Sequence, residues 1–102
     1  MHELAIPPKC DGEEDAYEVI RFWVKDGVQH ISLKVGHFDP QDETRVWGCM
    51  LADIAMHAVN GMVQDRPEIG SKDIVLAEIE VGYSDRLTAY PEISGSIIRK
   101  KH

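Results

Sequence analysis

Residues 17–35 read YEVIRFWVKDGVQHISLKV. Two runs rich in β-branched and aromatic residues flank Asp26-Gly27, a dipeptide whose tolerance of positive φ suits the type I′ turn of a two-residue hairpin. Pairing Lys25 with Val28 sets the rest of the register. Val24 then faces Gln29, Trp23 faces His30, Phe22 faces Ile31, Arg21 faces Ser32, Ile20 faces Leu33 and Val19 faces Lys34. Because side chains alternate along a strand, Ile20, Phe22, Ile31 and Leu33 share one side, the expected core face, while Trp23 and His30 stand together on the other.

Downstream, Gly36–Phe38 make a connector, and Asp39-Pro40 supplies an N-cap acceptor followed by the preferred first helical residue. A helix is predicted from about Pro40 to Gln64, since the chain continues its periodicity past Asn60-Gly61 towards Pro67. Trp47, Met50, Leu51, Ile54 and Ala58 fall on one apolar arc, expected to pack on the hairpin. Ala52, Met56, Val59 and Val63 form a second stripe with spacings of four, three and four, so both sides of this helix want cover. Ser71 is placed as the N-cap of a second helix through Leu87, with Ile74, Ala77 and Val81 at helical spacing. The β-branched Ile74, Val75, Ile79 and Val81 leave a strand as the alternative over 74–81. Residues 95–99 read as a short third strand or a tail. The predicted fold is α+β in ββαα order.

The remaining organisation is simple. Residues 1–16 combine Pro7-Pro8, Gly12 and a run of acids, a composition for an extended or mobile leader, and residues 17–102 then form a single domain. The 102 residues are 43% hydrophobic and 28% charged, the balance of an ordinary globular chain. Eighteen acids against eleven Lys and Arg give a net charge of -7. That surface repels phosphate backbones and anionic headgroups, so no nucleic-acid or membrane partner is expected. No apolar run is read as reaching transmembrane length, and the N-terminus has no basic segment before an apolar one, so the expected location is the cytoplasm. Cys10 and Cys49 have no paired spacing and are read as free thiols.

Trp23, Asp26-Gly27 and His30-Ile31-Ser32-Leu33, followed by Val46-Trp47-Gly48, Leu51-Ala52-Asp53-Ile54-Ala55 and His57, resemble an uncharacterised bacterial family. It is known as a domain of unknown function, number 5076 in its series. The resemblance covers roughly the middle half of the chain. It implies a shared fold and a bacterial source, and it brings no activity, substrate or cofactor.

Three constellations bear on function. Cys49, Asp53 and His57 recur at steps of four on one flank of the first helix, and a thiolate, a carboxylate and an imidazole are all transition-metal ligands. The outer two are roughly 12 Å apart along the axis, so only the pair Asp53 and His57 is within reach of one ion. The plainer reading of that pair is an i to i+4 contact that steadies the helix. Trp23, His30 and His37 form a second candidate, an aromatic and imidazole platform for a flat ligand, with coverage by the leader or by a second subunit as its structural counterpart.

Cys49 and Ser71 are the available nucleophiles, and neither sits in a nucleophile elbow or beside a recognisable set of oxyanion donors. P-loop, dinucleotide, EF-hand and CxxC patterns are absent. Catalysis and cofactors are therefore not expected. The third constellation is the stripe Ala52, Met56, Val59 and Val63 beside Trp23, apolar surface in excess of what one hairpin face and one helical arc can bury. It points to a self-associating interaction module, a homodimer or a binder of another protein, with ligand or metal binding as the alternative.

Overall fold

Asp26 and Gly27 take φ of 53° and 75°, both positive as a type I′ turn requires. They join β1 (Ile20–Lys25) to β2 (Val28–Leu33) in a two-stranded antiparallel sheet. The register is the predicted one at every pair, from Lys25 with Val28 to Ile20 with Leu33. The Lys34 amide donates to the Val19 carbonyl at 2.9 Å and carries the ladder one pair further. In this computed structural model the described residues are 3–91. The expected strand at 95–99 lies outside them. After the hairpin come α1 (Glu43–Asp65), a short 3₁₀ turn at Pro67–Ile69, and α2 (Lys72–Thr88), so the chain has the ββαα order. It divides into two compact units, one ending at Thr44 and the next beginning at Arg45.

In the first unit, turns occur within residues 8–15 of the leader. Turns close it locally, with the amides of Cys10 and Asp11 donating to the Pro7 carbonyl and that of Glu13 to the Cys10 carbonyl. Proline presets φ for such turns, and Gly12 supplies a φ of 80°. The hairpin face expected to be core is half open. Phe22 is 53% exposed, Ile31 51% and Leu33 52%. A two-stranded ribbon has too little width to bury its own face.

Asp39 caps the entry to α1 in the expected way. Its carboxylate accepts from the Gln41 amide at 2.9 Å, and its carbonyl accepts from the amides of Asp42 and Glu43. Regular helix begins at Glu43, three residues after the expected Pro40, because residues 40–42 form turns rather than full helical repeats. The Gly36 amide donates to the Glu43 carboxylate at 2.9 Å, tying the connector to the first helical turn.

In the second unit α1 runs through Asp65, one residue past the expected end, with Gly61 in its interior. The region 74–81 is helical. Ser71 is the N-cap by position, but its hydroxyl donates to the Asp73 carboxylate and makes no side-chain cap bond to an amide. Each helix buries one residue. Val59 of α1 is fully covered and Val75 of α2 is 6% exposed. Leu76, Ile79 and Leu87 are half-buried, whereas Ile74 and Val81 are exposed. The covered side of α2 is therefore that of Val75, Leu76, Ile79 and Leu87 rather than that of Ile74 and Val81. The chain enters α2 through Gly70, at a φ of 128°, where a Cβ would stand 3.2 Å from Ile74 Cγ2.

Candidate functional site

The hairpin positions its polar and aromatic groups by register. Trp23, half-buried, and His30, exposed, are direct cross-strand partners on one side. His37 makes its ring contacts elsewhere. Its centroid lies 4.0 Å from that of Tyr17, tilted by 49°, and 5.4 Å from that of Phe38 in an edge-on arrangement. The expected three-residue platform is thus two groupings, Trp23 with His30 and His37 with Tyr17 and Phe38. By sequence Tyr17 is only the first residue of a β-rich run. Its partner is twenty residues away, beyond the reach of any local pattern.

At the open end of the hairpin, residues 18–21 and 32–34 line a depression of about 300 Å³. Glu18 binds Arg21 there through the guanidinium Nε and Nη2, the latter at 3.0 Å, and Glu3 stands 3.9 Å from Nη1. The hydrogen bond that Arg21 donates to Glu18, and the Glu18 charge after that, hold the guanidinium protonated even beyond its ordinary range. These charges answer each other, and being exposed they bind one another weakly.

On α1, His57 Nδ1 donates to the Asp53 backbone carbonyl at 2.8 Å. The imidazole is held by the main chain of the residue one turn earlier. Among the described residues no group of three or more His, Cys, Asp or Glu side chains is placed to hold a metal ion. Cys10 and Cys49 are free and exposed.

The apolar surface is the dominant feature. Of the second stripe, Val59 is fully buried, Val63 half-buried, and Ala52 and Met56 exposed. From the first arc, Leu51 and Ile54 are 46% and 50% exposed. Val59 and Val75 are the only buried residues among those described. Contrary to the expectation of no such stretch, α1 is long and apolar enough to cross a membrane by length and composition alone, with a mean hydropathy of 1.3. Isolated polar residues such as Asp53 and His57 interrupt the apolar runs of α1 without lowering its mean hydropathy below that of a membrane-spanning helix. The core helix of a soluble protein meets the same criterion.

A two-stranded antiparallel hairpin followed by two helices defines a small α+β chain of ββαα order. The chain belongs to the family described as Domain of unknown function (DUF5076), which matches residues 3–89. That span includes the leader almost entirely. No curated protein matches the chain significantly. A solved structure from the photosynthetic bacterium Rhodopseudomonas palustrus CGA009, provisionally described as a pyruvate dehydrogenase, is similar at 29% identity and a TM-score of 0.72. The match covers 92% of this chain and 90% of that one.

Proposed function

We propose that this protein is a small non-catalytic interaction module of the bacterial cytoplasm that associates with itself. One observation carries the reading: among the described residues only Val59 and Val75 are buried, while large apolar side chains on the hairpin and on α1 stand half exposed. Folding stability is a small surplus of apolar burial over chain entropy, and two buried valines supply little of it. Burying Phe22, Ile31, Leu33, Leu51 and Ile54 against a second copy would add about 25 cal/mol for each Å² withdrawn from water. Lipid is the less favourable cover, because Asp53 stands near the middle of α1 and a carboxylate there costs about 2.5–3.5 kcal/mol to insert.

Light scattering on the full chain tests the reading. A dimer mass at micromolar concentration, with dissociation on dilution, is the expected result. A monomer that stays folded across the whole range overturns it.

A further inference from the structure

The two strands are both edges of their sheet, and the phase of the ladder says which backbone groups look outward. Across a two-residue turn Lys25 and Val28 are a hydrogen-bonded pair, so Trp23 with His30 and Arg21 with Ser32 are as well. The bond from the Lys34 amide to the Val19 carbonyl continues that phase. The N–H and C=O groups of Gln29, Ile31 and Leu33 therefore point away from β1. Among the described residues no hydrogen bond reaches them, and every residue of β2 is exposed.

The opposite edge differs. There Ile20, Phe22 and Val24 look outward, but β1 carries Arg21 and Lys25 and half-buries Ile20 and Trp23, and its Arg21 reaches Glu3 of the leader. Soluble proteins blunt an open edge with charge, proline or a bulge. Along VQHISL there is no charged residue, no proline and no glycine, and the register is unbroken.

We propose that the β2 edge is the docking surface for a second copy of this chain. The two β2 strands pair antiparallel about a two-fold axis normal to the sheet at Ile31. The proposal rests on the self-association reading and names its surface. A two-fold placed there uses every outward amide and carbonyl of the strand. Ile31 meets its own symmetry mate, and Gln29 meets the partner's Leu33. No like charges are opposed, since β2 carries none. Directly opposed residues share a side, so Ile20, Phe22, Val24, Ile31 and Leu33 of both copies join into one face that is apolar except for Gln29. A lone hairpin is marginal in water, whereas a wider sheet with an apolar face is stable, and that width is what the pairing adds.

Hydrogen exchange and light scattering on the full chain and two proline variants test the docking. Ile31→Pro removes an outward amide at the centre of β2, and Phe22→Pro removes the equivalent one on β1. Neither amide belongs to the β1–β2 ladder. The expected result is a wild-type dimer in which the amides of Gln29, Ile31 and Leu33 exchange about tenfold or more slowly than in diluted protein. Ile31→Pro is then monomeric with its circular dichroism retained, and Phe22→Pro stays dimeric. Should Ile31→Pro fail to fold, the wild-type exchange pattern alone decides. A dimer that survives Ile31→Pro and is lost in Leu51→Lys overturns the edge proposal and leaves self-association standing. A dimer lost only in Phe22→Pro transfers the contact to β1 and overturns it too. Protection of the three amides that is unchanged by dilution means the chain's own residues occupy the edge, and a wild-type monomer at all concentrations removes both readings.

Discussion

At residue scale, the turn and the start of α2 show how one side chain acts through the backbone. Gly27, at a φ of 75°, sits where an L side chain is strained, and a β-branched one most of all. Gly27→Val should lower stability by about 1–2 kcal/mol in urea titration, whereas Asp26→Asn, at a φ of 53° that Asn tolerates, should change it by less than about 0.5 kcal/mol. Asp73 titrates below the ordinary carboxylate range, first because Ser71 donates a hydrogen bond to it and then through the amides of Asp73 itself and Ile74. A depressed folded-state pKa adds stability that is present above the unfolded value, about 3.9, and disappears as pH falls through the folded one. In an NMR titration Ser71→Ala should raise the Asp73 midpoint, and Asp73→Asn should flatten this part of the acid limb of a thermal melt. His57 shows what a spacing conceals. Asp53 and His57 four apart announce a contact, but the pattern does not distinguish a carboxylate partner from the backbone carbonyl that the imidazole takes.

At the scale of elements, α1 and α2 have more apolar positions than one packing face can use, so periodicity alone does not select the inner side. On α2, Ile74, Ala77 and Val81 satisfy helical spacing as well as Val75 and Ile79 do, and the folded chain buries Val75 and half-buries Ile79. Val59→Ala removes methyl groups from a fully covered site and should cost about 2–3 kcal/mol in chemical denaturation. Gly61 lies inside α1, where a Cβ meets nothing within 4 Å. Replacing it with Ala should stabilise the protein by about 0.5–1 kcal/mol, read as a raised Tm, by restricting the unfolded chain and improving helix propensity. The α1 entry was legible in Asp39-Pro40 because capping is a local hydrogen-bonding requirement. Its regular start at Glu43 depends on how residues 40–42 turn, which the capping pattern leaves open.

For the whole molecule, stability and association are expected to be one property. If a second copy supplies the missing burial, Tm rises with protein concentration, and scanning calorimetry over a wide dilution series checks it. A Tm independent of concentration would mean that the single chain is stable with its apolar side chains in water. Of the candidate groups, the cross-strand pair of Trp23 and His30 was legible because register follows from the turn. The grouping of His37 with Tyr17 and Phe38 was not, since it joins positions that no short-range period connects.

By itself the sequence determined the hairpin, its register and the helical character of residues 43–65. A two-residue turn of the Asp-Gly type admits one pairing, and a side-chain period of two or 3.6 is a local property of the backbone. Only the tertiary structure decided that α2 is helix rather than strand, that Val59 and Val75 are the buried positions, and that the face of Phe22, Ile31 and Leu33 stays half open. Burial depends on which distant surfaces meet, and a chain apolar on several sides carries no local mark of the side that will be covered.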